Sequence, residues 1–136
     1  MNVGMVEMEK DKLILTVDVR RPYSSKREEI IKALSAKNVT VSIFSDHAPL
    51  YKSDDDKLIS TLLSVYRKVT GDYKSLPLRI GGGTYAKELP NCVAFGATFP
   101  GVDTKMHEPD EFYPVEHFYK LCEIYYEAVL ALDKVY

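Results

Sequence analysis

Apolar and polar positions alternate along residues 3 to 19, on either side of a polar break at residues 9 to 12. Leu13, Leu15 and Val17 fall on one face, and Ile14, Thr16 and Asp18 on the other. A period of two predicts two strands joined as a β-hairpin. Pro22 ends the second strand, because a residue without an N–H cannot donate to the ladder. The period then changes. Ser25 and Glu28 have the spacing of a capping box, ahead of Ile30, Ile31 and Leu34 at helical intervals. The run NVTVSIFS, residues 38 to 45, is predicted as a returning strand.

The order strand, strand, helix, strand over residues 1–46 resembles part of a split βαβ sandwich. A complete ferredoxin-like unit needs a further strand and helix ahead of Met1, so a partial lobe is expected. The polar, proline-bearing run DHAPLYKSDDD reads as a linker. Ser53 with Asp54, Asp55 and Asp56 then caps a second helix, since acidic groups in a first turn complement the helix dipole. Its apolar stripe is Leu58, Ile59, Leu62, Leu63, Tyr66 and Val69, and Gly71 stops it. LPLRI is predicted as a short strand entering GGGTYAKEL, and CVAFGATFPG as another, with Gly96 where backbone or ligand approaches closely. Residues 113 to 136 form a long closing helix with Pro114 in its first turn. Phe118, Leu121, Cys122, Tyr125, Val129 and Leu132 are expected to face the core. The fold class expected is therefore mixed α/β, with a first lobe over 1–46 and a second over 47–136.

Composition narrows the function classes. A chain of 136 residues, 46% hydrophobic and 28% charged, suits one ordinary domain or two small lobes. Its formal net charge of -2, with Lys and Arg scattered, offers no basic stripe for a phosphate backbone, so nucleic acid is excluded as a partner. No apolar run approaches the roughly 20 residues needed to span a bilayer, and residues 1 to 10 lack the apolar core of a signal peptide. No membrane association is expected, and the location reads as cytoplasmic. Cys92 and Cys122 lack CxxC spacing and read as buried thiols.

Three places could carry chemistry. Gly81, Gly82 and Gly83 with Thr84 follow a predicted strand, where backbone N–H groups can meet an anion or a carbonyl oxygen. The Lys-Ser/Thr ending of a phosphate-binding loop is absent, and a tight turn needing glycine torsions is the plain alternative. His107, in TKMHEPDEF, is followed by acidic residues. A zinc site takes three or four ligands, though, and the other imidazoles, His47 and His117, lie in the linker and on the polar side of the last helix. Arg20 ends a strand where a guanidinium could clamp a carboxylate through two parallel hydrogen bonds, the alternative being an ion pair with Asp18 or Glu7.

The stretches DVRRP, HAPLYKSDDDKLISTLLSVYRKVTG, RIGGGTYAKELPNCVAFGATFPG and DTKMHEPDEF occur in the order and approximate spacing of the C-terminal part of PepV-like dipeptidases. These are dinuclear-zinc exopeptidases of the aminoacylase and carnosinase superfamily, and the resemblance covers nearly the whole chain. It implies a partial ferredoxin-like lid lobe at 1–46 and the C-terminal part of a zinc-exopeptidase catalytic α/β domain at 47–136. It also implies a function: the C-terminal portion of a peptidase that hydrolyses small peptides by a metal-activated water. By this resemblance His107 matches a zinc ligand, and Asp110 and Glu111 match the acidic pair that hydrogen-bonds around it. Gly82, Gly83 and Thr84 match the loop lining the substrate pocket, and Arg20 matches the lid arginine that holds the substrate carboxylate.

The family's remaining metal ligands and its general-base glutamate have no counterpart here, so the isolated chain is expected to be inactive and to hold zinc weakly or not at all. The implied partners are two zinc ions and a dipeptide in the intact enzyme, and a further copy of the chain through open sheet edges. The competing reading is a non-catalytic oligomerisation module derived from such an enzyme. The joint presence of His107 with its acidic neighbours, Arg20 and the triple glycine favours the peptidase.

Overall fold

The computed structural model describes residues 1 to 96 and 98 to 136. The fold is mixed α/β, with a two-stranded antiparallel sheet and three α-helices among the described residues. The chain divides into two compact units, one of residues 1–51 with 80–83, the other of 52–79 with 84–136.

In the first unit, strands β1 (Asn2–Glu9) and β2 (Lys12–Asp18) form the expected hairpin. Lys10 takes the left-handed conformation at the turn, with φ 53°. The register pairs Val3 with Val17, Val6 with Leu15 and Met8 with Leu13, which places these six apolar side chains on one face. An irregularity between Val3 and Met5, at Gly4, keeps that face in phase. The opposite face is mixed, carrying Glu7, Glu9, Lys12 and Asp18 together with Met5, Ile14 and Thr16. The apolar face is not a core: apart from the half-buried Val17, its members are exposed.

Helix α1 (Arg27–Leu34) begins one residue later than the capping box predicted: the Lys26 N–H donates to the Glu29 carboxylate at 3.3 Å. Ser25 turns back instead, its hydroxyl donating to the Pro22 carbonyl. The segment after α1 is tied by Asp46, which pairs with Arg21 at 3.8 Å and Arg27 at 3.4 Å. Tyr23 stacks on Tyr51 with ring centroids 4.2 Å apart.

Three expected strands are corrected. Residues 38 to 45 form no ladder, and neither do residues 76 to 80. β-Branched and aromatic residues favour an extended backbone, but a strand exists only as a hydrogen-bonded pair, and the described residues offer these segments no neighbour. The strand expected from Cys92 onward runs through Ala97, which lies outside the described residues; residues 92 to 96 have no regular secondary structure.

The second unit is built on two helices, α2 (Lys57–Thr70) and α3 (Val115–Asp133). Asp56 is the N-cap of α2, its carboxylate accepting from Leu58 N–H at 2.8 Å while Lys52 Nζ sits 3.3 Å away. Gly71 closes α2 in the left-handed conformation, φ 72°, with its N–H on the Arg67 carbonyl. Asp72 then gathers the turn, accepting from Lys74 N–H, Ser75 N–H, the Ser75 hydroxyl and, at 2.9 Å, Tyr66 Oη.

The core lies between the two helices: Leu58, Leu62 and Val65 against Ile124 and Ala128, with Ile124 only 2% exposed. Val93, Phe95 and Phe99 pack on its margin. Gly96 has φ 92°, and a Cβ there would lie 2.5 Å from Tyr125 Oη and 2.8 Å from Leu121 Cδ1. The close approach predicted at this glycine is therefore made by two side chains of α3. Tyr125 secures it by donating to the Phe95 carbonyl at 2.9 Å. The buried face of α3 is narrower than expected: Phe118, Cys122, Tyr125 and Val129 are exposed, and Ile124 and Ala128 form the centre.

Candidate functional site

His107 lies in a loop between the apolar margin of the second unit and α3. The loop is closed at its base by Phe112 N–H donating to the Thr104 carbonyl at 3.2 Å, and Thr104 is buried. Asp103 starts it, its carboxylate accepting from Lys105 N–H at 3.0 Å, and Glu108 N–H returns to the Lys105 carbonyl at 2.9 Å. Within this loop Lys105, His107 and Asp110 all have positive φ, at 53°, 69° and 62°. The left-handed region is uncommon for residues with a Cβ, and such torsions gather where a loop must present side chains in a fixed direction. His107, Asp110 and Glu111 are all exposed, with the loop backbone rather than side-chain partners fixing their place.

Arg20 and the triple glycine meet in the first unit. Arg20 Nη1 donates to the Gly81 carbonyl at 3.1 Å, and Arg20 Nε lies 3.6 Å from Asp18 Oδ2. The ion pair with Asp18, the plain alternative for Arg20, is thus present, and the guanidinium also reaches the Gly81 carbonyl. Gly82 and Gly83 are exposed, and the nearest atom to a Cβ on Gly82 is Ile80 Cδ1 at 3.6 Å. Thr84 precedes a single 3-10 turn, Tyr85–Glu88, whose Ala86 is buried. His107 with Asp110 and Glu111 belongs to the second unit, and Arg20, Gly82 and Gly83 belong to the first.

The two other imidazoles are engaged elsewhere. His47 is 3.3 Å from the Ser45 hydroxyl. His117 is half-buried rather than solvated, tilted against Phe99 with centroids 4.9 Å apart, and it lines a shallow groove of about 340 Å³ with Thr70, Glu116 and Lys120. His107 does not line that groove. Sequence reasoning missed the packing of His117; its signal was an i, i+7 relation to the core residue Ile124.

A catalytic zinc site draws three protein ligands, and a dinuclear one more. Among the described residues no group of three or more His, Cys, Asp or Glu is placed to hold a metal ion. One exposed imidazole and two carboxylates do not fit a complete zinc site, and they cannot by themselves position a metal for chemistry.

Residues 2–131 match the model of peptidase family M20/M25/M40, and the chain belongs to that family. Among its relatives, a protein of Staphylococcus epidermidis named "putative dipeptidase" is 32% identical over 136 residues, covering 96% of this chain and 29% of the relative. A Bacillus subtilis protein of the same description is 33% identical over 121 residues, covering 88% of this chain and 26% of the relative. The chain therefore spans under a third of the length of the curated relatives it matches. No solved structure matches it.

Proposed function

We propose that this chain is the C-terminal portion of a zinc-dependent dipeptidase, contributing one metal ligand and part of the substrate pocket to an active site completed by other parts of the enzyme. The observation that carries this reading is the His107 loop. In a chain that belongs to a peptidase family, a histidine followed by acidic residues is held out to solvent on a loop with three left-handed torsions at residues that carry a Cβ.

In this reading His107 ligates zinc, and Asp110 and Glu111 hydrogen-bond around it to fix its ring. Gly82, Gly83 and Thr84 leave room for the substrate backbone, and Arg20 holds the substrate carboxylate by a two-pronged hydrogen bond. Residues 1–46 act as part of the lid and 47–136 as part of the catalytic domain. Two free cysteines suit a reducing compartment such as the cytoplasm, and among the described residues no helix is long and apolar enough to cross a membrane.

The lid arginine gives a sharp test. With this chain grafted into the Staphylococcus epidermidis relative in place of the matched span, Arg20→Lys should raise KM for dipeptides and lower kcat/KM, because an ammonium cannot reproduce the paired hydrogen bonds. Substrates amidated at the C-terminus should show no such difference. Equal damage to both substrate types would reduce Arg20 to its ion pair with Asp18.

The competing reading, a non-catalytic association module, is favoured by one observation, the exposed apolar face of the hairpin. It predicts reversible self-association of the chain, measurable by light scattering.

A further inference from the structure

Helix α3 carries two apolar faces and only one of them is used. Ile124, Ala128, Ala131 and Leu132 turn toward the core shared with α2, and Leu121 lies against Gly96. Four of its charged residues, Glu116, Lys120, Glu123 and Glu127, crowd into a narrow arc, roughly a sixth of the circumference at 3.6 residues per turn, and the fifth, Asp133, stands at the C-terminal end of the helix, away from that arc. What remains is a second stripe, Val115, Phe118, Tyr119, Cys122, Tyr126 and Val129, spaced i, i+3, i+4, i+7, i+11 and i+14. Val115 is 68% exposed, Tyr119 69%, Tyr126 66% and Val129 67%. A helix apolar on nearly all sides belongs in the interior of a larger structure. An exposed stripe with two tyrosines and a phenylalanine has the composition of a packing surface, in which each phenol, once covered, requires a hydrogen-bond partner.

We propose that this stripe is the docking face for the part of the peptidase polypeptide that the relatives carry outside the matched span. The covering surface is apolar, with hydrogen-bond acceptors opposite the hydroxyls of Tyr119 and Tyr126. Length points to this occupant: the chain matches only 29% of the Staphylococcus epidermidis relative while the match extends over 96% of the chain. From Val115 to Val129 the stripe carries no charged residue, and Asp133 marks its C-terminal end, so solvent is not the native neighbour of the stretch between. The inference rests on the peptidase reading but not on zinc or catalysis.

Cys122 sits in the middle of the stripe as a free, exposed thiol and reports on cover. The experiment measures the maleimide-labelling rate of the Cys122 peptide by mass spectrometry, in EDTA, for the free chain and for the chain grafted into the Staphylococcus epidermidis relative. The expected result is labelling slower by about tenfold or more in the graft, with Val129→Arg restoring the rate. Equal rates in the two proteins overturn the proposal. Slow labelling in the free chain that speeds up on dilution assigns the stripe to a second copy and overturns it too. Should the graft fail to fold, co-expression of the chain with the remainder of the relative must give a 1:1 complex that Val129→Arg disrupts; no complex is again a refutation. A protected Cys122 in a graft without dipeptide hydrolysis would leave this docking intact and sink the dipeptidase reading alone.

Discussion

The hairpin and the helix pair are both regular structure, yet they stand for opposite reasons. The hairpin is held by backbone ladder bonds between strands joined by a two-residue turn, and its apolar face of Val3, Val6, Met8, Leu13 and Leu15 stays in water. The helix pair is held by burial, with Leu58, Leu62 and Val65 locked against Ile124 and Ala128. Local pairing can set a register without a core, but a two-stranded ribbon alone is marginal in water. The helix pair therefore carries the stability, and the hairpin carries a surface.

Breaking the buried side of this contrast should have the largest effect. Ile124→Ala removes the most buried side chain of the core, and is expected to cost about 2 to 5 kcal/mol and lower the urea midpoint followed by far-UV circular dichroism. A cost below about 1 kcal/mol would mean that α2 and α3 do not share a packed core.

A smaller effect comes from pH. The Asp72 carboxyl is held well below the usual carboxylate range, first by the Ser75 hydroxyl, then by the N–H groups of Ser75 and Lys74 and by the Tyr66 hydroxyl. With the folded-state value depressed, the charged form favours folding. Its contribution is fully present above the unfolded carboxylate's pKa, near about 3.9, and is lost as pH falls below that toward the folded value. Thermal melts across this acid range should show Asp72→Asn with a flatter loss of stability than the parent chain; identical slopes would mean that Asp72 contributes nothing to the acid transition.

The smallest effect is expected on the hairpin. Leu15→Ser replaces a side chain already exposed, and should shift stability by no more than about 0.5 kcal/mol while reducing any self-association seen by light scattering. A large loss of stability would show that the hairpin face is covered in solution.

The same contrast marks what the residues alone could reveal. The hairpin was legible because alternation and register are local, and so was the end of α2, because Gly71 and the acidic cap act within one turn. Residues 38 to 45, 76 to 80 and 92 to 96 were misread as strands for the converse reason: Val, Ile and Phe state a preference for extended backbone, but the ladder depends on a neighbour that residue types do not name. The faces of α3 were confused for a related reason. A helix apolar on two sides does not say which side its own chain will use, and Phe118 and Val129 fell on the free one. At the candidate site the residue types of the His107 loop were legible, while the left-handed torsions at Lys105 and His107 were not, since Lys does not favour them and His adopts them only where the surrounding turn requires it. The meeting of Arg20 with Gly81, 61 residues apart in sequence, was equally beyond local pattern.

The dipeptidase reading stands or falls on His107. The most direct measurement is the zinc content and dipeptide turnover of the graft in the Staphylococcus epidermidis relative, with and without His107→Ala. The variant is predicted to keep its helical signal, lose one metal ion per chain and lose hydrolysis. A variant that retains its full metal content and normal turnover would contradict that reading, leaving His107 as an ordinary loop residue.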